Sequence, residues 1–407
     1  MVLHEPILKR TVIDDINKYI HSDDIIVLHG ARQVGKTSIL YYLINQLTEQ
    51  GHTTHFIDLE DSRFVRILDS GVKEFMRHLQ EEGIMPAAQK KVFVFIDEIQ
   101  YLENPSSFLK LVADHHKNIK LIISGSSSFA IKTKFKDSLV GRTVNFEIFN
   151  LSFKEFLSFR NYTFEEGKVY TQKKIDELRA MFKEYILYGG YPKIVLTSEV
   201  ERKEKYLQQI IDTYVKKDIR DLADVKDIDK FNKLLEALAS QSGQQLNVAE
   251  LSNTTRIAKQ TAEKYLFIME NTYIVRLVRP FSQNIRSELF KLPKIYFYDT
   301  GLMQMLWLKG LQKEIIGNVY ETGIFAELIK KYTKDAVFYW RTKDRKEIDF
   351  ILRIKNKILP IEAKLNFEQF NDSAIRYFNK HYGINNYRVV ALNGEPKNKF
   401  YVYPWDL

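Results

Sequence analysis

A chain of 407 residues exceeds a single hydrophobic core and predicts two to four domains. Hydrophobic residues at 45% and charged residues at 28% are the proportions of a soluble globular protein, and no apolar run reaches the length of a membrane span, so no membrane partner is expected. The absence of cysteine excludes disulfides and thiolate metal sites and fits a cytoplasmic location, while a formal charge of +9 and a pI of about 9.1 suggest an acidic partner such as DNA.

Residues 1–24 read as a helical lead-in without the apolar core of a signal peptide. Its Lys9-Arg10 pair reads as a solvated face. Residues 25–28 are an apolar strand that runs into Gly30-Ala31-Arg32-Gln33-Val34-Gly35-Lys36-Thr37-Ser38, and 37–50 carry a helical stripe of Ile39, Leu40, Leu43, Ile44 and Leu47. The spacing Gly30, Gly35, Lys36, Thr37 fits the phosphate-binding pattern G-x-x-x-x-G-K-[ST]. Glycines let the backbone approach a polyphosphate, and successive N–H groups with a helix N-terminus form an anion cradle. Lys36 supplies positive charge for the β- and γ-phosphates of ATP, and the Thr37 hydroxyl is a ligand for Mg²⁺.

A second strand over 53–59 is followed by Asp58, Glu60 and Asp61, whose plainest reading is a capped, solvated loop. After helix over 62–90, Lys91-Val92-Phe93-Val94-Phe95-Ile96 reads as a strand buried on both faces, ending in Asp97-Glu98. Ligands of open α/β sheets sit at strand C-termini. That places Asp97 to hold Mg²⁺ and Glu98 to orient the attacking water. A strand over 119–124 ends in a serine-rich turn, with Ser124 and Ser126 as candidates to sense the γ-phosphate or simply to cap the next helix. A last strand over 143–148 follows Arg142, which reads equally as an arginine finger for a neighbouring subunit in a homo-oligomer and as a surface arginine.

These motifs, with Gly141-Arg142-Thr143, 151–156 and Tyr188-Gly189-Gly190-Tyr191-Pro192, resemble a bacterial and archaeal family of AAA-type P-loop ATPases. The resemblance implies an ATPase core over 1–152, a helical lid over 153–224 and an ATP-dependent switch or motor component. In 153–224, Leu207, Ile210, Ile211, Tyr214, Val215 and Ile219 mark one long helix, and Lys216, Lys217, Asp218, Arg220 and Asp221 a salt-bridged face.

Residues 225–282 predict helices at 231–241, 247–251 and 258–271 and then a strand, the order of a winged helix-turn-helix. Arg256, Lys259, Gln260 and Lys264 fall on its recognition helix, and Arg276 and Arg279 on its wing, for DNA contact or for packing against protein. Residues 283–407 predict a helix bearing Glu321 and Glu327, strands at 336–341, 347–354 and 358–365, a helix and a further strand. Strand alternation puts Glu347, Asp349 and Ile351 on one face, opposite Ile348, Phe350 and Leu352, and Glu362 with Lys364 on one face of the next strand. This part resembles the PD-(D/E)xK nuclease fold, with Ile348 where the proline of the motif would stand. The resemblance implies Asp349, Glu362 and, on the helix, Glu327 as metal ligands and Lys364 as the catalytic lysine. A surface hairpin of salt-bridged charges is the plainer alternative.

Overall fold

The computed structural model describes residues 7–84, 91–125, 139–213, 227–282 and 292–407. Ser126, Tyr214, Val215, Ile219 and the charged cluster from Lys216 to Asp221 lie outside these residues. The chain divides into two compact units, Met1–Asn150 and Leu151–Leu407.

The first unit is a five-stranded sheet in the order β2-β3-β4-β1-β5, built from β1 (Ile25–Gly30), β2 (Thr53–Asp58), β3 (Val92–Asp97), β4 (Ile119–Gly125) and β5 (Thr143–Ile148). All four pairings are parallel. Parallel strands buried on both faces need continuous apolar runs, and every residue of β3 and β4 is buried. Helices α1 (Val12–Asn17), α2 (Lys36–Glu49), α3 (Ser62–Asp69), α4 (Val72–Glu81) and α5 (Pro105–His115) complete the unit. Phe75, Leu79, Leu109 and Val112 from α4 and α5 pack with Val92, Val94 and Ile96 of β3. Asp61 caps α3 by accepting from Arg63 N at 2.9 Å, as expected of a capped loop.

In the second unit, α6 (Phe153–Phe159), α7 (Gln172–Tyr188), α8 (Pro192–Leu196) and α9 (Val200–Thr213) come first. Then α10 (Ile228–Ser240), α11 (Val248–Thr255) and α12 (Lys259–Asn271) lead into an antiparallel pair, β6 (Val275–Val278) and β7 (Lys294–Phe297). The order here is three helices followed by a hairpin. The hairpin runs past the anticipated boundary at 282 and packs into the last part of the chain: all of β7 is buried, and Tyr296 stacks on Phe325 at 4.6 Å.

After α13 (Thr300–Leu308) and α14 (Gly317–Lys331), a mixed sheet runs β12-β11-β10-β9-β8. It comprises β8 (Val337–Arg341), β9 (Glu347–Ile354), β10 (Lys357–Asn366), β11 (Arg388–Asn393) and β12 (Tyr401–Val402), with α15 (Ser373–Tyr382) between β10 and β11. Strict alternation fails in β9. Phe338 pairs with Ile351 but Trp340 pairs with Ile348, so Asp349 and Phe350 together oppose Tyr339 in a bulge. Ile351 thereby leaves the face of Asp349 and joins Ile348 against Ile375 and Phe378 of α15, while Phe350 lies near Tyr296. Among the described residues, no helix is long and apolar enough to cross a membrane.

Candidate functional site

The sequence Gly30–Ser38 occupies the turn from the C-terminal end of β1 into α2. Gly30 is required by space: a Cβ there would stand 2.0 Å from the Ile148 carbonyl oxygen of the neighbouring strand. Gly35 is required by conformation, with φ of 93°, and Gln33 also adopts a positive φ of 59°. The loop between them therefore curls back on itself in front of the α2 N-terminus. Ala31 and Val34 are buried beneath it, whereas Gln33, Thr37 and Ser38 are exposed. Lys36 is buried and donates to the carbonyls of Ala31 at 2.6 Å and Gly30 at 3.3 Å.

Adjacent strands bring the other polar groups to the same end of the sheet. Asp97, at the end of β3, accepts from the Thr37 hydroxyl at 2.6 Å and from the Ser124 hydroxyl of β4. Both Asp97 and Ser124 are buried. Glu98 sits at φ 55°, a left-handed conformation costly for a residue with a Cβ, and its carboxylate accepts from Gln100. Lys36, Thr37, Asp97 and Ser124 are thus gathered at the loop. The Thr37 and Asp97 oxygens are hard donors, and that donor set suits Mg²⁺.

Arg142 is not brought to this end. Its carbonyl accepts from Ile25 N, at the start of β1, and its side chain pairs with Asp114 at 2.8 Å within the same chain. Six strand residues, about 20 Å, separate that edge from the loop. Arg10, read as solvated, is buried instead, and its guanidinium donates to the Val34 and Phe149 carbonyls.

A second polar cluster lies in the second unit. Lys364 on β10 donates to Asp349 Oδ2 at 2.8 Å and Glu362 Oε2 at 2.6 Å, and Asp349 also accepts from Ala363 N at 2.9 Å. Burial opposes the charge of Asp349, but the Lys364 and Lys294 ammonium groups outweigh it and hold its carboxyl below the usual range. Burial, reinforced by Asp349, pushes Glu362 well above that range. Burial works against the Lys364 charge, but the two carboxylates overcome it and raise its pKa.

The helix carboxylate is not the expected one. Glu327 accepts from Phe153 N at 2.9 Å, from the Tyr185 hydroxyl and from Lys330 at 3.2 Å, away from Asp349. Six residues are one and two-thirds turns, so Glu321 and Glu327 face different ways on α14. Glu321 is the one that reaches the cluster: it accepts from Tyr296 and from Lys294 at 3.1 Å, and burial, then Asp349, raises its pKa. Lys294, 2% exposed, also pairs with Glu347 at 2.6 Å. The sequence reading missed Lys294, Tyr296 and the role of Glu321; a lysine heading the otherwise apolar strand Lys294–Phe297 is the one available signal. Among the described residues, no group of three or more His, Cys, Asp or Glu could hold a metal ion. Asp349 and Glu362, the two carboxylates the sequence reading gave to a metal, are both engaged by Lys364.

Arg256, Lys259, Gln260 and Lys264 are all exposed at the end of α11 and on α12, with Lys259 near Glu263 at 3.8 Å. Arg276 is instead occupied by Glu270 at 3.0 Å and Asp335 at 2.8 Å, which withdraws it from the wing surface.

Residues 22–157 match the AAA domain family, residues 179–314 a domain of unknown function (DUF8612) and residues 316–406 a second domain of unknown function (DUF4143). An uncharacterized protein of Haemophilus influenzae is 28% identical over 367 residues, 88% of this chain and 86% of its own. One of Methanocaldococcus jannaschii is 27% identical, covering 86% of this chain and 77% of its own. Among solved structures, the replication initiator DnaA bound to AMPPCP and single-stranded DNA aligns at 17% identity over 64% of this chain and 86% of its own, with a TM-score of 0.31. PCH-2 of C. elegans aligns at 14% identity over 64% and 71%, with a TM-score of 0.30. Residues 22–157 therefore carry an AAA domain, and the two stretches that follow match domains of unknown function.

Proposed function

We propose that this protein binds and hydrolyses ATP at the Gly30–Ser38 loop and uses the nucleotide state as a switch for its C-terminal domains. The observation that carries this reading is the hydrogen bond of Thr37 to Asp97 at 2.6 Å, at the mouth of a phosphate loop and beside Ser124. In this reading the loop amides and Lys36 hold the phosphates, and Thr37 and Asp97 hold Mg²⁺, which when bound neutralises phosphate charge. Glu98 accepts a proton from, and orients, the attacking water, and Ser124 reports on the γ-phosphate through Asp97. Arg142 serves in trans across a homo-oligomer only if its pair with Asp114 opens. The experiment is ATP hydrolysis by wild type and by Lys36→Ala; retained hydrolysis in the variant overturns the assignment.

The output proposed is nucleic-acid binding through Arg256, Lys259, Gln260 and Lys264, and cleavage at Asp349, Glu362 and Lys364. A divalent metal held by Asp349 and Glu362 would activate water there. Plasmid cleavage equal in wild type, Asp349→Ala and Lys364→Ala sinks the nuclease part, and DNA affinity independent of salt sinks the binding part. A second reading, an assembly switch whose C-terminal domains bind a protein partner and cut nothing, is favoured by the pairing of both carboxylates with Lys364 and by the diversion of Glu327.

A further inference from the structure

Arg10 precedes α1 and lies outside the strand–loop–helix motif, yet it is 6% exposed. One terminal nitrogen donates to the Val34 carbonyl at 2.7 Å and the other to the Phe149 carbonyl at 2.9 Å. Val34 stands in the phosphate loop between Gln33 and Gly35, both at positive φ. In a planar trans peptide the C=O and the following N–H point in opposite directions. A guanidinium that holds the Val34 carbonyl therefore aims the Gly35 N–H away from itself, and the amides of this loop are the groups that face an anion. Phe149 follows β5, whose Ile148 carbonyl lies against Gly30. The two ends of the loop thus rest on adjacent residues, Gly30 on Ile148 by contact and Val34 on Phe149 through Arg10. A planar guanidinium fork presents its donors on separate nitrogens at a fixed angle, whereas a lysine ammonium offers its donors from one nitrogen on a flexible stem.

We propose that Arg10 is a positioning residue of the nucleotide site, which orients the Gly35 amide for polyphosphate and ties the loop to the chain at Phe149. The proposal rests on the reading of Gly30–Ser38 as a nucleotide site. It is tested on the full chain by titration with a fluorescent ADP in Mg²⁺, together with hydrogen exchange of residues 148–150 with and without nucleotide. Arg10→Met is expected to weaken binding by about tenfold, the effect of losing a charge-assisted hydrogen bond, and Arg10→Lys by less. Nucleotide is expected to slow exchange at 148–150 in wild type and not in Arg10→Met, a difference that loss of stability alone would not produce. Nucleotide affinity in Arg10→Met within about twofold of wild type, or the same nucleotide-dependent protection in both, overturns the role of Arg10 while leaving the loop assignment intact. If Arg10→Met does not fold, Arg10→Lys decides by the same measure: affinity equal to wild type overturns the proposal. No binding by wild type overturns the nucleotide site and the proposal together.

Discussion

Replacing Lys364 with Met removes the cation shared by Asp349 and Glu362. The side chain donates to both carboxylates, which are 13% and 6% exposed. Removing one partner of a buried ion pair costs about 3–5 kcal/mol. Lys364 keeps 27% of its side chain in solvent, so solvent screening argues for the lower end, about 3 kcal/mol at neutral pH. The sign of the pH dependence follows from the same contacts. In wild type, burial would raise the Asp349 pKa, but Lys364 and Lys294 hold it down. Without Lys364 the effect of burial gains ground, so the Asp349 pKa rises, and Glu362, already raised by burial, loses an opposing charge. Compared with wild type, the folded variant then binds more protons near neutrality. Groups with a raised native carboxyl pKa lose stability as pH climbs from the unfolded value through the native one. The destabilisation should therefore be largest above neutrality and shrink as the pH falls toward about 4.5, where the unfolded carboxyls also protonate. Trp307, Trp340 and Trp405 are the chain's three tryptophans, and all lie in Leu151–Leu407. Tryptophan fluorescence during urea unfolding consequently reads this unit alone. A loss below about 1 kcal/mol, or one that is unchanged between pH 5 and 7.5, would refute the buried-pair argument.

Three other substitutions probe separate features. Gly30→Ala places a Cβ 2.0 Å from the Ile148 carbonyl, where only backbone can yield; overpacking of about 3 kcal/mol is expected, read as a lower melting temperature by circular dichroism, and an unchanged melt would contradict it. Glu327→Gln should lower stability of the second unit by about 1–3 kcal/mol through its contacts to Phe153, Tyr185 and Lys330, while leaving Mn²⁺ affinity untouched; a matched loss of Mn²⁺ binding would return Glu327 to the metal site. Lys120 donates to the carbonyls of Tyr19, Ser22 and Asp24, and burial pushes its pKa down to about 8 from an ordinary 10.5. The unfolded chain holds this proton to higher pH, so stability of the first unit should rise between those two values; Lys120→Met should abolish the slope, and an identical slope in both proteins would exclude Lys120 as its source.

The parts of the molecule most legible in the sequence are those set by contiguous residues. Gly30 to Ser38 specify strand, loop and helix within one short stretch, and Val92–Ile96 can be nothing other than a strand buried on both faces once the sheet is parallel. Asp97 and Ser124 meet because each ends a strand of the same sheet and those strands are neighbours. The C-terminal cluster was less legible because it is assembled from distant segments. Glu321 and Glu327 share one helix, and spacing alone does not say which faces the sheet. Lys294 arrives on β7, a strand that the sequence reading did not predict, and the bulge at Asp349 and Phe350 breaks the period-two rule on which the face assignment relied. Arg10 was misread for a related reason: its acceptors are main-chain carbonyls, which leave no trace in side-chain composition.

Helix α14 carries a consequence of its own. Glu321 is gripped by Lys294 and Tyr296, and Glu327, with Lys330, grips Phe153 N and the Leu151 carbonyl. The two glutamates are about 9 Å apart along a continuous hydrogen-bonded rod. Such a rod transmits torque: turning or sliding it at Glu327 displaces Glu321 by a comparable amount, because one and two-thirds turns of helix do not bend. The first residues of the second unit and its buried charge cluster are thereby mounted on a common shaft.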